Sequence, residues 1–231
     1  NETFTNVADE AGVVVAVRAC WRSLYGERVV NYRAIRGLRG EPAIAVVVQR
    51  MVEADSSGVM FTLDPTGRTP QAIVIEAAWG QGEVVVGGEV EPDSYVVNRL
   101  DGGGVALRQV NVGHKAFEIV AGDDGKDCRR ALSPDRARGR VLDDPMVLEL
   151  ARLGLGIEEH YGRPQDIEWC TEHGHLWIVQ SRPITTLGPV AAQLSEQTAA
   201  PNRAEPILSG LAASHGVGVG LVRVLEPPKD G

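Results

Sequence analysis

Apolar residues return at helical spacing from Asn6 to about Arg36, where Val13, Val17, Cys20, Trp21 and Leu24 share a side. Asn6, three residues ahead of Asp9, is the expected start, and one long helix or two should open the chain. The pattern then changes. "AIAVVVQRMV", Ala43 to Val52, is a β-branched run of strand length, and "GVMFTLDP" reads as a second strand closed by Asp64 and Pro65, with "SSG" as the turn between them. "QAIVIEAAWG" and "EVVVGGEVEPDSYVVNR" give strands on either side of Gly80-Gln81-Gly82, and a short pair follows around Val105 to Val112. Strands in such succession predict a meander, hence an α+β fold with a mostly antiparallel sheet and flanking helices. Helical period resumes in Asp143 to Tyr161, with Met146, Leu150, Leu153 and Ile157 on one face and Pro145 near the start. Residues 1–187 form one unit in this reading. Residues 188–208, rich in Ala, Pro, Gln and Ser, read as a linker, and 209–231 resume strand-like alternation as the beginning of a second, incomplete domain.

The stretch "YGRPQDIEWCTEHGHLWIVQSRPITT", Tyr161 to Thr186, reads as a hairpin. With His173-Gly174-His175 as a three-residue turn, residues pair when their numbers sum to 348, so Glu168 faces Gln180 and Asp166 faces Arg182. Paired residues share a face and neighbours alternate. Asp166, Glu168, Gln180 and Arg182 therefore lie together, while Ile167, Trp169, Val179 and Ser181 fill the other side. A carboxylate beside an amide oxygen offers hard ligands suited to Mg²⁺, and an arginine fork two residues on suits phosphate oxygens. Such a set is half of a metal–nucleotide clamp, whose task in phosphoryl transfer is positioning and charge neutralisation. An exposed hairpin with a cross-strand salt bridge explains the same pattern, and pattern alone leaves both readings open.

Composition narrows the field. The chain has 231 residues, and 43% hydrophobic with 23% charged fits a globular protein with a sizeable core. A net charge of -8, with basic and acidic residues mixed, argues against a phosphate-backbone surface and so against nucleic acid as partner, while leaving room for a small anionic ligand held by a few chosen residues. Cys20, Cys128 and Cys170 are odd in number and far apart, which gives neither a disulfide framework nor a zinc site; the cytosol is the expected compartment. No apolar run reaches membrane-spanning length, and none of the first residues resembles a leader. Because the chain begins with Asn1, a piece of a longer polypeptide is expected.

Other chemistry-bearing residues say less. "WGQGEVVVGG" lacks the third glycine of a dinucleotide fingerprint and reads as a turn into a strand. Gln49, polar within a buried-looking strand, needs a backbone or ligand partner, and Met51 beyond it has the pattern of a core residue. His173 and His175 read as solvated turn residues and His160 as a helix end. Arg18, Arg22, Arg28, Arg33 and Arg36 suit either an anion or a solvated helix face with local acids.

Six blocks, "ETFTNV", "SLYGERVVNYR", "VVVQRMVEADSSGVMFTLDP", "EAAWGQGEVVVGGEVEPDSYVV", "HYGRPQDIEW" and "WIVQSRPITT", occur in the order found in the ATP-binding domain shared by phosphoenolpyruvate synthase, pyruvate, phosphate dikinase and rifampicin phosphotransferase. The chain resembles that family from about Glu2 to Thr186. The resemblance implies the C-terminal lobe of an ATP-grasp fold. In it Glu168 and Gln180 would hold Mg²⁺ and ATP, Arg182 would meet the phosphates, Gln49 and Met51 would line the adenine and ribose side, and Thr3 would touch phosphate. It further implies transfer from ATP to a histidine on a swivelling domain, whose beginning "GLAASHGVGVGLVRVL" resembles. His215 lacks the glycine pair of the phosphohistidine motif and reads as a loop residue. The family's N-terminal lobe, the rest of the mobile domain and the acceptor domain are the implied partners, without which this chain should complete no turnover. Among family members "HYGRPQDIEW" leans toward phosphoenolpyruvate synthase. A binding or regulatory module that keeps the sheet without the reaction is the alternative of another class.

Overall fold

The computed structural model describes residues 2–65, 69, 71–122 and 126–184. The expected linker, the expected start of a second domain and His215 lie outside them. In chain order the elements are α1 (Glu10–Ser23), α2 (Glu27–Ile35), β1 (Ser56–Phe61), β2 (Ile73–Trp79), α3 (Glu83–Val86), β3 (Asp93–Arg99), β4 (Val105–Asn111), β5 (Phe117–Ala121), β6 (Asp127–Ala131), α4 (Pro134–Ala137), α5 (Asp144–Tyr161), β7 (Gln165–Glu172) and β8 (His175–Pro183). Six strands form an antiparallel sheet in the order β4-β3-β2-β1-β7-β8, and β5 pairs with β6 beside it. The architecture is α+β and mostly antiparallel.

One face of the sheet is closed by α5. Met60, Ile75, Tyr95, Ile167 and Trp169 from the strands meet Val147, Leu150 and Ala151 from the helix, and all are buried. The helix starts at Asp143, whose carboxylate accepts from the Met146 N–H at 2.9 Å, and stops at Gly162 in the left-handed region (φ 65°). The expected face was Met146, Leu150, Leu153 and Ile157, but Val147, Leu150, Ala151 and Gly154 are the buried positions and Leu153 is 42% exposed. Small residues decide this rotation, because a Cβ at Gly154 would sit 2.5 Å from Met60 Cε. Ala151 and Gly154 let the helix lie close to the sheet beside Val147 and Leu150.

Several expected elements differ. Ala43 to Val52 forms no strand among the described residues, and Val47 and Val48 are 81% and 65% exposed. β propensity describes fit to a pleated, half-buried surface, and this run has no neighbouring ladder to complete it. Ser56, Ser57 and Gly58 are not a turn but the start of β1. The serine hydroxyls are satisfied by Thr171 Oγ1 and the Gly80 carbonyl, both at 2.7 Å, and a Cβ at Gly58 would strike the Glu76 carbonyl oxygen at 1.8 Å. Glu83 to Val86 is a helical turn that buries Val84 alone against Ala78 and Ile119, and so needs no alternation. Val105 to Val112 supplies one strand, β4, paired with β3. At the N-terminus the cap is Asp9, which accepts from the Gly12 N–H at 2.7 Å, and not Asn6, whose amide donates to Asp127. Two helices follow, divided at Gly26, the N-cap of α2.

Candidate functional site

The hairpin β7–β8 turns through two residues, His173 (φ 52°) and Gly174 (φ 79°), both in the left-handed region that a tight hairpin of matching twist requires. His175 is therefore not in the turn but paired with Glu172. A two-residue turn sets the pairs near the tip one step away from the expected register, as in Trp169 with Ile178. A bulge between Glu168 and Trp169 takes up that residue, and below it Glu168 faces Gln180 and Asp166 faces Arg182. The expected partner of Trp169, Val179, is the residue the bulge absorbs.

The four polar side chains form two rungs on the face of the sheet opposite α5. Gln180 Nε2 donates to Glu168 Oε1 at 2.9 Å, and Arg182 Nε donates to Asp166 Oδ2 at 2.8 Å. Asp166 is largely covered, with its side chain 14% exposed, whereas Arg182 is 64% exposed. Nε is the atom Arg182 commits to Asp166, so its terminal nitrogens keep their N–H donors for another anion. Burial raises the Glu168 carboxyl above its ordinary range, Arg182 pulls it back down, and Asp166 adds to the rise.

The row continues across the sheet. Glu168 pairs with Val59 of β1, Val59 with Glu76 of β2, and Glu76 with Ser94 of β3. Glu76 thus shares the open face with Glu168, and burial raises its carboxyl too. Sequence alternation in "IVIEAAW" carried that placement, since Glu76 is the one charged residue of a strand whose other face is apolar, but it was not read as a site residue. The sheet's far end on this face is covered by Ala78, Val84 and Ile119, where α3 and β5 pack over it.

The remaining expected residues stand apart from this pair of rungs. Gln49 is exposed rather than buried, and Met51 is 39% exposed. Between them Arg50 lies 5.8 Å from the Trp177 ring centroid and 3.6 Å from Glu172, so the segment reaches the loop end of the hairpin. Thr3 is exposed at the start of the chain, and its neighbours Thr5 and Asn6 bond Asp127 of β6. Among the described residues no group of three or more His, Cys, Asp or Glu side chains forms a preassembled metal cage. Mg²⁺ does not require one, because it is held by one or two carboxylates with phosphate and water completing the shell. Glu168 Oε2 and the Gln180 amide oxygen are uncommitted hard ligands of that kind. A cleft of about 610 Å³ between α5 and β8, walled by Leu153, Ile157, Tyr161 and Ile178, opens on the helix side of the sheet and shares no residue with these rungs. Glu149, Arg152, His160 and Ser181 also line it.

The chain is 42% identical over 230 residues to a probable phosphoenolpyruvate synthase of Archaeoglobus fulgidus, covering 99% of this chain and 30% of that protein. It is 39% identical to phosphoenolpyruvate synthase of Pyrococcus furiosus, covering 97% of this chain and 28% of that protein. With rifampicin phosphotransferase of Bacillus cereus it shares 35% identity over 82% of this chain and 21% of that protein. The chain therefore spans less than a third of the length of these relatives. The sequence profile of the pyruvate phosphate dikinase AMP/ATP-binding domain matches residues 1–203, and on that match, supported by relatives named for phosphoryl-transfer enzymes, the chain belongs to that family of ATP-binding domains.

Proposed function

We propose that this chain is the C-terminal lobe of an ATP-grasp domain that binds Mg·ATP for phosphoryl transfer to a histidine on a mobile domain, within a phosphoenolpyruvate synthase-like protein. The observation that carries the reading is the pair of rungs, Glu168 with Gln180 and Asp166 with Arg182, on a sheet face that α5 leaves open. In this reading Glu168 and Gln180 hold Mg²⁺, which when bound would offset charge on the nucleotide phosphates. Arg182 meets the phosphates with its terminal N–H groups while Asp166 fixes the fork from behind. Gln49 and Met51 line the base and ribose from the loop end of the hairpin, and Thr3 approaches the phosphates. The rest of the ATP-grasp domain, the phosphohistidine domain and the acceptor domain belong to the same polypeptide, in the cytosol. The relative from Bacillus cereus supports a second acceptor class, an antibiotic of the rifampicin type; pyruvate with phosphate is a third. A nucleotide-binding module without transfer is supported by the Asp166–Arg182 pair, which is also what a purely structural hairpin would show.

The test is ATP-dependent phosphorylation of the full-length protein with Mg²⁺, comparing wild type with Glu168→Ala and Arg182→Ala. An acid-labile, base-stable label on a histidine, reduced at least a hundredfold in both variants, is the expected result; that loss corresponds to about 2.7 kcal/mol of transition-state stabilisation. A folded wild type that binds ATP but takes no label would leave the binding-module reading standing.

A further inference from the structure

Residues Gln49 to Asp55 form neither strand nor helix, yet they are pinned to the tip of the β7–β8 hairpin. The Asp55 N–H donates to the Thr171 carbonyl at 2.8 Å, and the His173 N–H donates to Asp55 Oδ2 at 2.6 Å. Glu172 makes the attachment nearest Gln49. Its Oε1 accepts from the Glu53 N–H at 3.0 Å, and its Oε2 lies 3.6 Å from a terminal nitrogen of Arg50, whose guanidinium stands 5.8 Å from the Trp177 ring centroid. Both carboxylate oxygens are thus committed to the segment, and the side chain is 14% exposed. Among the described residues, Glu172 makes every hydrogen bond and ion pair between residues 49–53 and the hairpin. The contact of Arg50 with Trp177 is all that adds to it.

Strand alternation gives this attachment its consequence. Glu168, Cys170 and Glu172 follow at every second residue of β7 and so share its open face. Glu168 and Glu172 are four residues apart, about 13 Å at the rise of an extended strand. The segment therefore meets the same strand, on the same face, that presents the rung of Glu168 and Gln180. One end of β7 carries the phosphate-side groups, the other holds the stretch bearing Gln49 and Met51, and Cys170 is buried between them. A wall held in place before binding spares the ligand the cost of ordering it, whereas a loose one does not.

From this we infer that Glu172 is a positioning residue for the nucleotide. By latching residues 49–53 onto β7 it sets the base-side wall at a fixed distance from the phosphate-side rungs, and so favours a triphosphate that carries a base and ribose over a bare polyphosphate. The inference rests on the Mg·ATP reading and deepens it. Glu172 itself is assigned no contact with the nucleotide. Its effect is confined to the base side, since the bonds of Gln180 to Glu168 and of Arg182 to Asp166 do not involve it.

The experiment measures binding of a non-hydrolysable ATP analogue and of inorganic tripolyphosphate, each with Mg²⁺, to the full-length protein. Wild type is compared with Glu172→Ala and Glu172→Gln, with thermal midpoints as folding controls. Tripolyphosphate offers the phosphates without base or ribose, and glutamine keeps an acceptor for the Glu53 N–H. The expected result is about a tenfold loss of analogue affinity in Glu172→Ala, tripolyphosphate affinity within about twofold of wild type, and Glu172→Gln within about threefold for both ligands. Equal loss of both ligands in Glu172→Ala, or loss of neither, would overturn the inference and leave Mg·ATP binding in place. So would Glu172→Gln as weak as Glu172→Ala, because the bond to Glu53 would then not be the operative one. Should Glu172→Ala not fold, Arg50→Ala takes its place. That side chain is 76% exposed, and its removal should weaken the analogue about threefold while sparing tripolyphosphate; equal effects on the two ligands would overturn the inference. A wild type that binds the analogue no more tightly than tripolyphosphate has no base-side wall to position, which overturns this inference alone. One that binds neither ligand sinks the parent reading as well.

Discussion

The two ion pairs Asp93–Lys115 and Asp166–Arg182 join the same residue classes and do opposite work. Asp93 and Lys115 are both fully buried, and the carboxylate also accepts from the Gly113 N–H at 3.0 Å, the Val141 N–H at 2.7 Å and the Tyr95 hydroxyl at 3.1 Å. Tyr95 in turn accepts from the Leu142 N–H at 3.0 Å, and burial pushes its hydroxyl up to about 12. The cluster ties β3 to the connections before β5 and before α5. Asp166 and Arg182 make one bond, at an exposed edge, and the guanidinium keeps most of its donors. A pair with every valence filled fixes backbone. One with valences left over can receive a ligand.

The largest effect of breaking that contrast falls on the buried pair. Asp93→Ala leaves Lys115 charged and unpaired in the core and should destabilise the fold by about 3–5 kcal/mol, read from urea unfolding. Adding Lys115→Met should recover part of this, because two matched apolar groups no longer leave a charge behind. A loss below about 1 kcal/mol would mean that water reaches the cluster and that its role as a clasp is wrong. The open pair predicts the reverse. A double-mutant cycle of Asp166→Asn and Arg182→Ala should give a coupling of roughly 0.2–1 kcal/mol in stability. Coupling above about 2 kcal/mol would make the pair a structural fixture and weaken the case for Arg182 as a phosphate ligand.

The same contrast explains how far the sequence could be read. Strands with a ladder partner on both sides, such as β2 and β7, were legible because alternation in "IVIEAAW" and "DIEW" records which face is closed. The face bearing Asp166, Glu168, Gln180 and Arg182 was legible for the same reason, and even a wrong turn length did no harm because the bulge after Glu168 restored the pairing. Ala43 to Val52 misled because β-branched composition records a preference and not the presence of a neighbour. Ser56-Ser57-Gly58 misled in the opposite sense: turn-type residues serve there as small strand residues where a Cβ has no room. The face of α5 was read by size of side chain, whereas close approach selects Ala151 and Gly154. Glu76 was overlooked because a lone charge in a strand is unremarkable until the cross-strand rows show what it faces.

The smallest effect concerns that residue and has a definite sign. Burial raises the Glu76 carboxyl above its unfolded value of 4.5, so the folded state holds its proton more tightly than the unfolded state does. Stability then falls as pH rises from that value through the folded one, and stays lowered above it. Glu76→Gln removes the group that titrates. Near neutral pH the variant should therefore be more stable than wild type, read as a higher thermal midpoint. The two midpoints should converge as pH approaches 4.5. A variant no more stable than wild type at neutral pH would show that water already satisfies Glu76 and that its burial costs the fold nothing.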